Sequence, residues 1–270
     1  MQRKGICLLG VATLALGLAA CRHDNGIIKY QTPMSNIKEA PRDTTQQDKQ
    51  AAAQTHTQLA VAYMGQDDLK QAETALHKAL GFDDKYVQAH TVLAILYWKI
   101  DRLQDADKEF RAAIAIDPSD GDTNNNYGKF LCAQGKRQDA MKHFKRALAD
   151  PFYKTPAVAN TNAGVCLMGF KDYSGAAPYI NRALASESEY GPALLAMAEL
   201  DLDQNKAFEA RGYMQRFESS GKATPESLLL GYRIANRLGD KDSATNYSNR
   251  LQDQFPDSTQ AQSLNGQNHD

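Results

Sequence analysis

Apolar residues recur every three or four positions along most of this 270-residue chain. Leu59, Ala60 and Tyr63 form one such group, and Phe110 and Ala113 belong to another. This spacing places apolar side chains on one face of an α-helix. Short turns that contain glycine and aspartate separate the helical segments. The pattern therefore predicts an all-α protein built from many helices of similar length.

One alanine recurs at a nearly constant interval. The steps between successive members are 34, 34, 36, 34 and 34 residues, and the members are Ala72, Ala106, Ala140, Ala176, Ala210 and Ala244. Repetition at this period is typical of tetratricopeptide repeats (TPRs), in which each unit is a helix pair, A and B. Six alanines in phase argue against unrelated helical hairpins. We predict a right-handed superhelical TPR solenoid of six repeats, at residues 53–86, 87–120, 121–156, 157–190, 191–224 and 225–258.

Two further positions of the repeat each carry residues of one size. The eighth position is small, at Ala60, Ala94, Gly128, Gly164 and Ala198. The twenty-fourth is large, at Leu76, Phe110, Phe144, Ile180 and Met214. Small residues allow helix B to approach helix A, and large ones fill the space between repeats. The sixth repeat departs from the pattern, as terminal repeats do, with Gly231, Tyr232 and Ser248 at the seventh, eighth and twenty-fourth positions.

Residues 1–20 have the features of a bacterial lipoprotein signal peptide. Two basic residues precede an apolar run at residues 5–20, which is too short for a stable membrane span. The sequence LAAC at residues 18–21 resembles a lipobox, so cleavage would leave Cys21 acylated and the protein lipid-anchored. Arg22, in place of aspartate, favours the periplasmic face of the outer membrane. The alternative is ordinary secretory cleavage beside a coincidental cysteine.

The segments that flank the repeats are polar. Residues 21–47 predict the acylated cysteine and a flexible tether, and residues 259–270 predict a frayed tail. Without the signal peptide the chain would keep 29 basic and 32 acidic residues. No basic stripe is evident, which argues against nucleic acid as a partner.

Two cysteines remain after the signal peptide and Cys21 are set aside. Cys132 and Cys166 lie in the A helices of the third and fourth repeats, which run side by side in a solenoid. In a compartment that permits disulfides, we expect them to form a bridge. The alternatives are two buried free thiols, or a two-cysteine metal site, for which no histidine ligands lie nearby.

The chain lacks the sequence motifs of the common catalytic and nucleotide-binding sites. His56 and His90 share the fourth position of their repeats and could lie near each other, but that position normally packs, so we expect half-buried histidines rather than metal ligands. We therefore predict no enzymatic activity, cofactor, metal or small-molecule substrate.

The inner surface formed by the A helices is the candidate binding surface. The predicted groove residues are Val61, Met64, Thr91, Ile95, Trp98, Asn125, Lys129, Val165 and Met168. A tryptophan flanked by methionine and aliphatic residues is typical of a protein-binding hot spot. The alternative for Trp98, the only tryptophan, is that it packs against its own repeat or the next one.

The middle of the chain is more specific than a general TPR. The sequences NNYGKFLC at residues 125–132, PFYKTP at 151–156 and NAGVC at 162–166 closely resemble the PilF/PilW family of type IV pilus biogenesis lipoproteins. The likeness extends to the lipobox, the six repeats and both cysteines, while the fifth and sixth repeats are degenerate.

This resemblance implies a pilotin, a lipoprotein that binds the secretin subunit of the pilus machine through its TPR superhelix. Such a protein promotes the localisation and multimerisation of the secretin in the outer membrane, and hence pilus biogenesis and twitching motility. The mechanism is tethering and binding, without a chemical step. The alternative function is that of a different periplasmic TPR lipoprotein, an adaptor for outer-membrane assembly or for the cell-wall machinery.

Overall fold

The computed structural model describes residues 45–220 and 222–267, which form antiparallel helix pairs stacked in chain order. The A helices are α1 (Gln46–Gly65), α3 (Val87–Lys99), α5 (Gly121–Ala133), α7 (Pro156–Gly169), α9 (Gly191–Asp203) and α11 (Pro225–Leu238). The B helices are α2 (Leu69–Phe82), α4 (Leu103–Ile116), α6 (Arg137–Ala149), α8 (Tyr173–Ser186), α10 (Ala207–Ser220) and α12 (Lys241–Gln254). A last helix, α13 (Thr259–Gln267), follows. The six predicted helix pairs are thus present.

The turn from helix A to helix B has the same geometry in all six repeats. One residue at the fifteenth position of each repeat has a φ between 59° and 74°, at Asp67, Asp101, Gly135, Lys171, Asn205 and Gly239. The backbone N–H of the following residue donates to the carbonyl five positions before it, over 2.8–3.0 Å. This is the Schellman bond that ends a helix at a left-handed residue. The 34-residue register of the sequence is therefore visible in the backbone.

The small and large positions pack against each other as the repeat pattern predicts. A Cβ atom built on Gly128 would lie 2.8 Å from the ring of Phe144, and one on Gly164 would lie 2.5 Å from Ile180. Both large side chains are fully buried, as are the six alanines of the series to within a few per cent. The two helices of a repeat are in contact because these positions carry almost no side chain.

The sixth repeat keeps this packing in a shifted register. A Cβ atom on Gly231 would lie 2.5 Å from the ring of Tyr247, which occupies the twenty-third position of the repeat. The small residue stands one position earlier than in the other repeats, and so does the large one. Gly231 and Tyr247 therefore take the place of the small residue expected at the eighth position and the large residue expected at the twenty-fourth. A large residue is not needed at Ser248.

Each A helix after the first packs against both helices of the preceding repeat. Within the described part of the chain the backbone of each A helix lies close to that of the next A helix. The backbones of successive B helices lie farther apart, and at α10 and α12 they are bridged by Tyr247 and Arg250, which both donate to Glu218. A stack whose A helices are closer together than its B helices curves with the A helices inside. The inner surface therefore consists of A helices, and slots separate the B helices on the outer surface.

The irregular step of 36 residues places two extra residues in the α6–α7 connection. Tyr153 lies against the N-terminus of α5, where a Cβ atom on Gly121 would lie 2.7 Å from its side chain. The carboxylate of Asp150 accepts a hydrogen bond from the backbone N–H of Gly121 over 3.1 Å. The two extra residues therefore form a loop that packs on the third repeat.

Both ends of the repeat domain differ from the prediction. Helix α1 begins at Gln46, inside the segment predicted as a tether, with Thr45 and Asp48 forming a capping box. The predicted frayed tail is wrong for residues 259–267, which form α13. Ala261 and Leu264 of α13 are buried against the last repeat, because the open apolar end of a solenoid needs a cover.

The predicted signal peptide, the acylated Cys21 and most of the tether lie outside the described residues. Within residues 45–220 and 222–267, no helix is both long and apolar enough to cross a membrane.

Candidate protein-binding groove

The inner surface contains an apolar pocket over the third and fourth repeats. It has a volume of 440 Å³ and lies between α5 and α7, with Trp98 of α3 at one side. Lys129 and Asn162 supply polar groups at its edge. The remaining lining side chains are mainly apolar, and include Phe144, Val165 and Phe170. A concave apolar site with few polar groups is suited to holding side chains of a binding partner.

Trp98 both packs and lines the pocket. Its ring meets that of Phe130, on the A helix of the next repeat, edge to face with the centroids 5.6 Å apart. The side chain is half-buried, so part of the indole remains accessible in the pocket. The two alternatives for this residue are therefore compatible, because contact with the next repeat holds the indole at the edge of the pocket.

A disulfide joins the two A helices beneath the pocket. It links Cys132 of α5 to Cys166 of α7, the pair predicted from the sequence, with 5.9 Å between the Cα atoms. Both cysteines line the pocket. The covalent link fixes the distance between α5 and α7 at this point, so the shape of the pocket is set before a partner arrives.

Polar side-chain pairs also join successive A helices. Asn162 of α7 donates to the side-chain oxygen of Asn125 on α5 over 2.9 Å. One repeat earlier, the hydroxyls of Thr91 on α3 and Thr123 on α5 lie 2.7 Å apart. These directional contacts join successive A helices and fix their register.

Three of the predicted groove residues are buried. Thr91 and Asn125 are buried in the contacts just described, and Met168 is buried in the core of the fourth and fifth repeats. Their positions in the repeat face the neighbouring A helix more than the solvent. These three side chains therefore pack within the stack and expose little surface to the groove.

The other predicted residues are accessible to different degrees. Val61 and Val165 are 52% and 49% exposed, and Lys129 is also exposed. Met64 and Ile95 are partly buried against the core of the first repeats. Trp98, Lys129 and Val165 line the pocket. The structure thus brings these three together, and leaves Val61, Met64 and Ile95 outside the pocket lining.

A second pocket, absent from the prediction, continues along the inner surface. It has a volume of 480 Å³ and is lined by α9, α11 and α13, with Leu195 and Leu229 among its apolar residues. Val165 lines both pockets, so the two form one groove across the third to sixth repeats. The sequence signal was the apolar A-helix positions of the fifth repeat, which the degenerate pattern obscured.

The two pockets differ in charge. Lys129 lies at the first pocket. At the second, Arg233 lies 3.6 Å from both Glu199 and Asp203, and Glu226 accepts a hydrogen bond from Gln260 over 3.0 Å. The acidic groups of the second pocket are thus partly neutralised within the protein. The lining of the groove thus combines apolar residues with one lysine at the first pocket and a partly paired group of charges at the second.

The two histidines at the fourth position lie in separate environments. His90 lies between the carboxylate of Glu109, at 2.6 Å, and the backbone oxygen of Asp84, at 3.0 Å. Both partners are acceptors, so both ring nitrogens donate and the imidazole is protonated. Burial alone would lower the pKa of His90, but these two hydrogen bonds outweigh it and raise the pKa. His56 instead stacks on Phe82, with the ring centroids 5.4 Å apart.

The arrangement offers binding surfaces and no recognisable reaction centre. Among the residues that the structure describes, no group of histidine, cysteine, aspartate and glutamate side chains could hold a metal ion. The disulfide occupies both described cysteines. What the groove can do chemically is bury apolar side chains and offer hydrogen bonds from Asn162 and Lys129.

Known proteins resemble this chain in both sequence and structure. The family model of the tetratricopeptide repeat matches residues 57–121. The type IV pilus assembly protein PilF of Pseudomonas aeruginosa is 28% identical over 252 residues, which cover 93% of this chain and 95% of PilF. A solved structure of PilF from Pseudomonas aeruginosa has a TM-score of 0.68 at 29% identity, and the match covers 81% of this chain and 99% of that one.

The crystal structure of PilW, described as a widely conserved type IV pilus biogenesis factor, is similar with a TM-score of 0.71. The two are 34% identical, and the match covers 78% of this chain and 97% of PilW. The likeness extends over almost the whole of each relative. The chain belongs to the PilF/PilW family of TPR proteins, which function in type IV pilus biogenesis.

Proposed function

We propose that this protein is a pilotin that binds the secretin subunit of the type IV pilus machine in its inner groove. The observation that carries the proposal is the continuous apolar groove, which begins at Trp98 and crosses Val165 to reach Leu229. A groove of this length fits a partner segment with several apolar side chains, as grooves that bind peptides or helices do. No step of this mechanism breaks or forms a covalent bond.

Rigidity under the first pocket supports binding of an extended partner. The disulfide between Cys132 and Cys166 and the hydrogen bond between Asn125 and Asn162 fix the spacing of α5 and α7 in the free protein. A site that is already ordered loses less conformational entropy when a partner binds. We therefore assign the main anchor of the secretin segment to the first pocket, at Trp98.

The lipid anchor supplies the localisation in this proposal. Acylated Cys21 would hold the repeat domain at the periplasmic face of the outer membrane, and the segment after it would let the domain reach the secretin. Secretin subunits bound in the groove would then arrive at the membrane in which they multimerise. The groove selects the partner, and the anchor selects the place.

Replacement of Trp98 by alanine tests the groove. Trp98→Ala should weaken binding to the purified periplasmic part of the secretin roughly thirtyfold, about 2 kcal/mol, since tryptophan is a frequent hot-spot residue. Phe208→Ala is the matched control, because Phe208 is an exposed aromatic residue on the outer helix α10. Its affinity should equal that of the wild type. If both variants bind the secretin as tightly as the wild type does, the groove is not the secretin-binding site.

The same variants in cells test the function. A strain without the protein should lack secretin multimers in the outer membrane, and wild-type protein should restore them. Trp98→Ala should restore few of them, and Cys21→Ser should leave the secretin outside the outer membrane. Normal multimers in the deletion strain would contradict the pilotin role, and favour an adaptor for a different envelope process.

A further inference from the structure

The outer surface contains a polar slot between α4 and α6, on the side opposite the groove. Its volume is 410 Å³. The backbones of α4 and α6 lie apart, so the slot reaches down to the A helix α5, which forms its floor. The side chains that matter here are Arg111, Tyr127, Lys136, Asp139, His143 and Arg146.

The slot carries more positive than negative charge. Arg111, Lys136 and Arg146 line it together with a single carboxylate, Asp139. Arg111 uses its Nε to donate to Asp107 over 2.6 Å, which leaves the other guanidinium nitrogens available. Within the described residues, Lys136 and Arg146 form no ion pair. This concentration stands out because the chain as a whole has a net charge of −1.

The positive charge extends along α6. The segment from Lys136 to Ala149 contains five basic residues, and Asp139 is its only acid. The sequence letters KRQDAMKHFKRA already contain this feature. These basic residues lie on two sides of α6, since Lys136 and Arg146 line the slot whereas Arg137 and Lys145 line the neighbouring pocket between α6 and α8.

His143 places an unprotonated nitrogen at the floor of the slot. The amide nitrogen of Asn124 donates to the backbone oxygens of Pro118 and Asp120, so its Oδ1 must act as an acceptor. The Nδ1 of His143 lies 2.9 Å from this oxygen and therefore carries the imidazole proton. The Nε2 is then a free lone pair on a side chain that is 8% exposed.

The surroundings of His143 disfavour its protonation. Burial is the main cause, and the charges of Arg146, Lys142 and Arg111 add to it, so the pKa of His143 falls to about 4. Asp139 acts in the opposite direction. The ring also packs on Tyr127, with the centroids 4.6 Å apart. The imidazole is thus neutral at pH 7, in a positive field that Asp139 does not balance.

A second carboxylate beside the slot, that of Asp107, is already engaged by hydrogen bonds. Tyr127 donates to Asp107 over 2.8 Å, and Arg111 donates to the other oxygen of the same carboxylate. Burial alone would raise the pKa of Asp107, but these two hydrogen bonds lower it. Asp107 therefore balances part of the charge of Arg111, and leaves that of Lys136 and Arg146 for a ligand.

We propose that this slot binds a phosphate group, through Arg111, Lys136 and Arg146, with His143 at its floor. A phosphate oxyanion suits the site because guanidinium and ammonium groups from two helices line the same slot. Its charge would oppose that of the cations near His143, so the imidazole would take up a proton from solvent and donate from Nε2. Binding of phosphate should therefore raise the pKa of His143.

Proton NMR of the imidazole of His143, in the full chain, tests this site. Inorganic phosphate is one probe, and glycerophosphoglycerol, a soluble phosphodiester headgroup, is the other. Either probe should raise the pKa of His143 from about 4 in a saturable manner. Saturation by phosphate alone assigns the slot to a free phosphate or a phosphomonoester, and saturation by the diester assigns it to a lipid headgroup. No saturable shift with either probe overturns the proposal.

A charge-matched pair of variants separates the slot from general attraction. Lys136→Gln with Arg146→Gln should weaken binding of the phosphate probe roughly tenfold or more, because two charge-assisted hydrogen bonds are lost. Lys70→Gln with Lys241→Gln removes the same charge from exposed positions on α2 and α12 and should leave affinity unchanged. Equal weakening in both pairs would overturn the site, since the attraction would then depend on net charge alone.

Discussion

The third and fourth repeats are joined differently from the last repeat and its terminal helix. In the middle of the stack, α5 and α7 share a disulfide and the hydrogen bond from Asn162 to Asn125. At the C-terminal end, α11, α12 and α13 meet through a small apolar cluster that includes Leu251 and Leu264. The middle is joined by a covalent bond as well as by packing, whereas the end is covered mainly by apolar burial, with a hydrogen bond from Gln260 to Glu226 at its exposed edge.

This difference corresponds to what each region must do. The spacing of α5 and α7 determines the shape of the first pocket, so contacts that fix distance and register are useful there. The end of the stack must cover apolar surface that has no further repeat to meet. Apolar burial is sufficient for that task because it has no preferred direction.

The largest expected effect tests the covalent contact in the middle. Cys132→Ser should lower the free energy of unfolding by about 4 kcal/mol under oxidising conditions, since the cysteines are 34 residues apart and the loop between them is released. Denaturant titration measures this loss. The wild type should lose the same amount when reductant is added, and the variant should not respond to it. If reductant changes the free energy of unfolding of neither protein, the disulfide does not stabilise the fold.

A smaller effect tests the apolar end. Leu264→Ala should cost about 3 kcal/mol, because Leu264 is 2% exposed and its removal leaves a cavity against the last repeat. Hydrogen exchange should show the loss in α11 to α13, while the third and fourth repeats keep their protection. Leu59→Ala, at an exposed leucine of α1, is the matched control and should change little. Uniform loss along the chain would mean that the two regions unfold as one unit.

The smallest effect is a pH dependence that separates two buried histidines. The folded pKa of His90 is raised, so its contribution is present below pH about 6.5 and is lost as the pH rises through the folded pKa. The folded pKa of His143 is lowered to about 4, so stability falls as the pH drops from about 6.5 towards 4. Unfolding free energies measured across this range should lose the first dependence in His90→Gln and the second in His143→Gln. Retention of both dependences in both variants would contradict these assignments.

Most of the fold could be predicted from the sequence because its repeats report the same packing several times. The alanine series and the small residues Gly128 and Gly164 mark the contact between helices A and B. The spacing of Cys132 and Cys166 indicated that they lie on adjacent A helices. Local periodicity determines these features, and in a solenoid each repeat contacts only its neighbours.

The candidate groove was less predictable. Trp98, Lys129 and Val165 line the first pocket, but Thr91, Asn125 and Met168 are buried. A position in the repeat indicates which face of a helix a residue occupies, and not how closely the next helix covers it. The second pocket was not predicted because the degenerate pattern of the fifth repeat obscured its apolar positions, and because Gln260 of α13 lies in a segment predicted to be frayed.

The amino-acid pattern was sufficient to define the helix pairs, their 34-residue register and the small residues at which helices A and B meet. These follow from periodicity within one repeat and its neighbour. Three features became visible only in the folded chain. They are the shift of the sixth repeat to Gly231 and Tyr247, the cover that α13 forms on the last repeat, and the basic slot lined by His143. Such features depend on distances between helices, because burial and electrostatic fields arise only when separate segments are brought together.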